Sequence, residues 1–278
     1  MSLNKINESV YILEGAVNIS VILGDEGALV IDTGLGDSGA RKVRRWLDEN
    51  SIRPCAIINT HSHADHFGGN EFLLKKYPEL MVYAPAIEDA FIKYPVLELA
   101  FLFGAEPREA LKTGFLMSPP SKVDEIIEPG NSEICGLKLK CVPLPGHSFN
   151  QIGVIFEDVF FSADALFVED LIKKYGILYF VDFEKSIETL EKLKEYRGLK
   201  FIPGHRRIEG DVVDVINKNL KHFESVQATV QKCLTHAKPI RCAFEKFGIP
   251  NNPVNRALSL VPIKATLLAL DIDFFELI

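Results

Sequence analysis

A layered α/β fold is what the sequence predicts, and three observations carry that prediction. Short runs rich in branched apolar residues recur with turn residues between them. Helical segments with one apolar face separate these runs in both halves of the chain. Apolar residues make up 47% and charged residues 25% of 278 residues, proportions of an ordinary globular chain long enough to bury a core without staples. Sheets that carry helices on their outer faces satisfy all three.

Residues 9–32 read as a strand meander: Val10-Tyr-Ile-Leu13, a turn at Glu14-Gly15, Asn18-Ile-Ser-Val-Ile-Leu23, a turn at 24–27, then Ala28-Leu-Val-Ile-Asp32. Asp37 or Ser38 can cap a helix that presents Ala40, Val43, Trp46 and Leu47 on one face, with Arg41, Lys42, Arg44 and Arg45 on the solvated side. Pro54 opens a strand, Ala56-Ile-Ile-Asn59, which runs into Thr60-His-Ser-His-Ala-Asp-His-Phe-Gly-Gly69; a second helix and the strand Met81-Val-Tyr-Ala84 follow. Residues 95–117 begin apolar nearly all round, a helix that something must cover. Strands are expected at 134–142, 151–156 and 159–162, a helix from Phe183 to Tyr196, and a short strand Lys200-Phe-Ile202 before Pro203-Gly-His205. From Asp211 the pattern is helical, with Val212, Ile216, Leu220, Phe223, Val230 and Leu234 on one long helix and at least one more from Pro253 to Phe275.

Composition narrows the partners. The balance of 31 basic and 38 acidic residues gives a formal charge of −7 and a pI near 5.6, without a basic cluster for a phosphate backbone, so nucleic acid is not the expected partner. No apolar stretch approaches the roughly 20 residues that span a bilayer, and Met1-Ser-Leu-Asn-Lys5 lacks the apolar core of a secretory signal. A soluble, cytoplasmic protein acting on a small molecule, with no membrane partner, is expected. The five cysteines, Cys55, Cys135, Cys141, Cys233 and Cys242, are odd in number and contain no Cys-x-x-Cys pair, which does not suggest a disulfide framework. Cys141 alternates with Leu139 and Leu137 and reads as strand core.

Chemistry concentrates at 61–66, where His61, His63, Asp65 and His66 crowd a strand-to-helix junction. His61 and His63 project to one side of an extended segment and can share one cation; the turn then redirects Asp65 and His66 toward a second. Gly68 and Gly69 let the backbone pass where a side chain would collide. The same residue types recur at the ends of later strands: His147 in Pro145-Gly-His-Ser148, Asp164 after Phe160-Phe-Ser-Ala163, and His205 in Pro203-Gly-His205.

In that order, with Val30-Ile-Asp-Thr-Gly34 ahead of it, the set resembles the metallo-β-lactamase superfamily and its glyoxalase II-like metallo-hydrolases, over residues 8–210. The resemblance implies a four-layer αββα sandwich with a dinuclear site at one edge of two sheets. His61, His63 and His147 would hold the first metal, Asp65, His66 and His205 the second, and Asp164 would bridge both. Asp32 would support the metal loop without ligating. Residues 1–210 would form the catalytic domain, with an apolar helical insertion at about 93–120, and 211–278 a helical appendage packed on the same domain. Two divalent ions are implied, zinc first, with iron or manganese as alternatives.

Departures refine the resemblance. Asp164 stands where the commonest zinc β-lactamases carry cysteine, which disfavours antibiotic hydrolysis, and His63 stands where diiron flavoproteins place glutamate. The expected reaction is attack of activated water on an ester, thioester or lactone carbonyl, with Asp65 as the catalytic group that orients water or takes its proton. The alternatives are a sulfur dioxygenase with a single iron on His63, His147 and Asp164, and a phosphodiesterase. Tyr175, Tyr179 and Arg206 are candidates for substrate binding; Arg206 suits a carboxylate or phosphate. Residues 95–117 read as a hydrophobic lid, a packed helix or the interface of a homodimer. His222 and His236 read as surface residues.

Overall fold

Antiparallel pairing gives way to parallel pairing along the first sheet of the computed structural model, which describes residues 3–277. Among the described residues this sheet has seven strands in chain order: β1 (Asn4–Lys5), β2 (Val10–Leu13), β3 (Ile19–Gly24), β4 (Gly27–Ile31), β5 (Pro54–Ile58), β6 (Met81–Ala84) and β7 (Glu125–Ile126). Strands β1 to β4 pair antiparallel and β4 to β7 parallel. The crossovers are α1 (Asp37–Glu49) between β4 and β5, and α2 (Ala64–Phe67) with α3 (Asn70–Lys76) between β5 and β6. Helices α4 (Glu88–Lys93) and α5 (Val96–Phe103) and a 3₁₀ turn at Glu109–Leu111 fill the stretch before β7. A second sheet runs β12-β11-β10-β9-β8, from β8 (Gly130–Ile134), β9 (Leu137–Pro143), β10 (Ile152–Phe156), β11 (Val159–Ala163) and β12 (Lys200–Pro203).

The chain divides by its contacts into two compact units. The first comprises the residues up to Pro143, Asn150–Ala163 and Leu199–Arg207, and thus both sheets. Strand periodicity explains its two cores. Ile22, Leu29, Ile31 and Ile58 face Leu139, Cys141, Val154 and Phe161 of the second sheet. Their neighbours Val21, Val30 and Ile57 face the other way and pack with Val43, Trp46 and Leu47 of α1 and Leu73 of α3. The apolar face read for α1 is the face it buries, although Gly36 occupies its N-cap position and Asp37 is already helical. Parallel strands open their carboxyl ends toward one edge, the usual place for a site in such sheets. Asp32 follows β4, Thr60 to His66 follow β5, and Gly204-His205 follow β12.

The second unit, Leu144–Phe149, Asp164–Gly198 and Ile208–Ile278, is helical. It contains α6 (Glu169–Tyr175), α7 (Phe183–Leu193), α8 (Val212–Cys233), α9 (Pro239–Lys246) and α10 (Pro253–Ala269). Asp182 and Asp211 cap α7 and α8, accepting from the N–H groups of Lys185 and Val213. Rings of Phe180, Phe183 and Phe223 form its aromatic core, with centroids 4.8 to 5.9 Å apart. Among the described residues no helix is long and apolar enough to cross a membrane.

Two expectations are corrected. The cysteines do pair: Cys55 with Cys135 and Cys233 with Cys242, at Cα separations of 6.1 and 5.6 Å that suit a disulfide, leaving Cys141 as the free thiol. Spacing hid the first pair, because 80 residues separate partners that sheet packing brings together. Cys141 is strand core as read, and burial pushes its thiol up to about 11. His222 is buried rather than on the surface: its Nε2 accepts from the N–H of Leu178 at 3.3 Å, while His236 is exposed.

Under denaturing, non-reducing conditions a thiol assay should titrate one cysteine, and five after reduction; more than one without reduction overturns the pairing. His222 supplies a second test. Burial holds its imidazole from an ordinary 6.5 down to about 4. Above pH 6.5 neither folded nor unfolded histidine is charged, so the residue contributes no pH dependence there. Between 6.5 and 4 the unfolded chain takes up a proton that the folded chain refuses, and stability falls on acidification, by about 3 kcal/mol in full. Urea unfolding at pH 7.5 and 4.5 should show this loss shrinking in His222→Gln; an equal loss in both proteins refutes it.

Candidate metal centre

Sheet register places the first supporting contact. Ile31 of β4 pairs with Ile58 of β5, so the residues leaving these strands, Asp32 and Thr60, meet at the sheet edge. Asp32 takes a left-handed conformation, φ 55°, and is 3% exposed. Thr60 donates its N–H to Asp32 Oδ1 and its hydroxyl to Oδ2, each at 2.8 Å, and His66 Nδ1 meets Oδ2 at 2.8 Å. A hydroxyl has one proton. Because that of Thr60 goes to Asp32, its 3.1 Å contact with His61 Nδ1 makes the imidazole the donor. Asp32 therefore sets the Nδ1–H tautomer of His66 directly and of His61 through Thr60, and Nε2 becomes the ligating nitrogen of both.

His205 is oriented the same way, Nδ1–H donating to the carbonyl of Ala16 at 2.5 Å. Its Nε2 lies 3.7 Å from Asp65 Oδ2. Asp65, His66 and His205 each offer a ligand atom, all within 4.8 Å of one another. His61 Nε2 and His63 Nδ1 lie 3.1 Å apart, facing one another. His61 and His66 are fully buried, while Asp65, His63 and His205 are partly open to solvent, which gives the group a sealed side and an accessible one. Two imidazoles and a carboxylate are a donor set for zinc, iron or manganese, so the residues present fit a divalent ion.

In the second unit, Gly146 takes φ 124°, and a Cβ there would lie 2.5 to 2.6 Å from Ser186. Only glycine lets the Pro145-Gly146 turn sit against the start of α7 and present His147. His147 Nδ1–H donates to the carbonyl of Tyr179 at 3.0 Å, and its Nε2 is 3.5 Å from Asp164 Oδ2. These two line a small cavity with Phe167, Tyr179, Asn219 and Phe223. Tyr179 thus acts on His147 through its backbone oxygen. Tyr175 is exposed at the end of α6 beneath Lys174 Nζ, and Arg206 is exposed at φ 64°, its carbonyl accepting from the Asn18 side chain.

Sequence reasoning missed several supporting residues. Asn59 and Asn70 join side chains at 2.7 Å, and Asn70 also bonds Thr33 and Ser121, a buried network under the metal loop. Gly68 and Gly69 are crowded as read: a Cβ on either would come within 2.5 Å of Ser118 Oγ or the Thr33 carbonyl. Glu88 and Glu98 approach the loop from the other side. Glu88 is fully buried and accepts from Ser62 N–H at 3.0 Å and Ser62 Oγ at 2.6 Å. Burial pushes the Glu98 carboxyl up, with His63 opposing and Glu88 reinforcing the rise. A lone acid in the run Val96–Phe103 was the available signal.

The family model of the metallo-beta-lactamase superfamily matches residues 12–205, a span holding every residue of the ligand set. The chain is 26% identical over 175 residues to a probable metallo-hydrolase of Methanocaldococcus jannaschii, covering 58% of this chain and 75% of the relative. It is 30% identical over 114 residues to a hydroxyacylglutathione hydrolase of Xylella fastidiosa, covering 41% of this chain and 33% of that enzyme's length. A solved metallo-beta-lactamase family protein from Thermus thermophilus superposes with a TM-score of 0.74 at 18% identity, over 96% of this chain and 95% of that one, a likeness of fold.

Replacing Asp32 by Asn should weaken zinc binding about 10- to 100-fold in a chelator competition, because an amide facing Nδ1 favours the wrong tautomer of His66. Thr60→Val should lose less, since it spares His66. Wild-type affinity in Asp32→Asn refutes the tautomer argument.

Proposed function

The chain belongs to the metallo-beta-lactamase superfamily, and on that premise we propose that it is a metal-dependent hydrolase acting on the acyl carbonyl of a small thioester, ester or lactone. The observation that carries the reading is the convergence of Asp65, His66 and His205 at the carboxyl ends of β5 and β12, with their imidazoles already turned by Asp32 and Ala16. The thioester stands first because of the likeness to hydroxyacylglutathione hydrolase. An apolar acyl or aryl group suits the surface of α5, where Leu97 and Phe101 are each 41% exposed.

Two divalent ions are proposed, zinc first; His61, His63, Asp65, His66 and His205 of the first unit would help to hold them, and the resemblance would add His147 and Asp164 as ligands. The places of His147 and Asp164 rest on their order along the chain. When bound, such ions supply a water of lowered pKa and a Lewis acid for the carbonyl oxygen. The rest falls to the side chains. Asp65 accepts a proton from the attacking water at its carboxylate and directs the oxygen at the acyl carbon, a role its partly open position on the first turn of α2 permits. Buried Asp32 holds a proton of His66 on Nδ1 and so makes Nε2 the nitrogen that faces a ligand.

Elemental analysis of the purified chain, with turnover measured against thioester, lactone, aryl ester and bis-p-nitrophenyl phosphate substrates, tests the reading. About two divalent ions per chain and acyl hydrolysis are expected; one iron with oxygen uptake, or phosphodiester cleavage alone, overturns it. Asp65→Ala should lose about 10²- to 10⁴-fold in kcat and part of its metal. Full activity in that variant refutes the role given to Asp65.

A further inference from the structure

The apolar helix α5 carries one charged residue, Glu98, in the run Val96-Leu-Glu-Leu-Ala-Phe-Leu-Phe103. Leu99 and Leu102 are buried, and Leu97 and Phe101 are exposed, so an acid for solubility would belong on the face of the latter pair. Glu98 instead turns inward: its side chain is 14% exposed, and Oε1 lies 3.7 Å from Nε2 of His63. Taking a carboxylate out of water is unfavourable unless a partner receives it. His63 is that partner, through the nitrogen that does not face His61.

A second glutamate works on the intervening residue. Glu88 Oε2 accepts both the N–H and the hydroxyl of Ser62, and Oε1 accepts the N–H of Asn150 at 2.8 Å. The residue before it, Ile87, is held at φ 72°, a left-handed conformation that a β-branched side chain resists. The backbone accepts this strain where α4 begins, at the point that delivers the carboxylate to Ser62.

We propose that Glu98 is a positioning residue for the metal centre: its carboxylate, 3.7 Å from Nε2 of His63, favours the tautomer protonated on that nitrogen and so leaves the Nδ1 lone pair on the side of His61 Nε2, while Glu88 holds Ser62 in register between the two histidines. A carboxylate on the remote nitrogen fixes the tautomer of a ligating imidazole and raises its basicity. The apolar insertion is then more than a cover, because it supplies the group that orients one of the ligands beneath it. The proposal rests on the metal-dependent reading of the site.

Cobalt(II) titration of the full chain, freed of metal by chelation, tests it without substrate. Glu98→Gln should bind cobalt about 10- to 100-fold more weakly and show an altered visible absorption, with the circular dichroism and melting of the metal-free chain unchanged. Glu88→Gln should weaken binding as well, and Glu133→Gln, on an exposed stretch of β8, should match wild type. If Glu98→Gln fails to fold, Glu98→Asp, which retracts the charge by one methylene, should give the same weakened binding. Unchanged affinity and absorption in the folded Glu98 variants overturn this inference alone. A wild-type chain that takes up no cobalt overturns the metal-dependent reading and this inference with it.

Discussion

The carboxylate of Asp32, 3% exposed, accepts the N–H and hydroxyl of Thr60 and holds Nδ1 of His66, and the usable nitrogens of two imidazoles follow from that one contact. It exists because β4 and β5 pair in parallel with Ile31 opposite Ile58. A shift of one residue would turn Ile31 and Ile58 out of the core between the sheets and carry Asp32 away from Thr60. Core packing and ligand chemistry therefore depend on the same register. The buried anion is tolerable because both of its oxygens receive hydrogen bonds from atoms that the sheet has already fixed.

Much of this was legible because it is local. Alternating Val21, Ile22, Val30 and Leu29 announces strands with two buried faces, and Ala40, Val43, Trp46 and Leu47 announce a helix with one. The donor-rich stretch His61 to His66 is legible for a different reason. Crowding imidazoles and a carboxylate into six residues is costly without a cation, so the pattern itself points to a metal. The resemblance assigns Asp32 a supporting role, and chemistry gives the reason, since ligating imidazoles need an oxygen on the remote nitrogen.

What escaped depends on residues distant in sequence. Cys55 and Cys135 carry no spacing signal across 80 residues. His222 sits on α8 between Lys221 and Phe223, and the Leu178 backbone, distant in sequence, makes it a buried acceptor. Asn59 and Asn70 look like ordinary polar residues until their amides meet beneath the loop. Glu98 is hidden by the opposite bias: residues 95–117 are conspicuous for their apolar content, and an acid inside such a run reads as noise until its partner is known. A buried carboxylate in an apolar helix is the more informative residue, because burial has to be offset by something specific.

The net charge of −7 acquires a location on these grounds. Asp32, Asp65, Glu88 and Glu98 all lie on or against the strand-to-helix junction, within one unit of the fold. Asp32 is met by backbone, hydroxyl and imidazole groups, Glu88 by backbone N–H and hydroxyl groups, and Asp65 and Glu98 by imidazoles. Protonating the histidines would neutralise the acids but remove the lone pairs that make the residues ligands. Neutral imidazoles satisfy hydrogen bonds and leave the charge of the acids in place. A divalent cation resolves both demands at once, since it binds the lone pairs and offsets the carboxylates. The acidic excess at this junction is therefore the electrostatic counterpart of a group that could hold a metal ion, and a lysine at 98 in place of glutamate would work against a cation there.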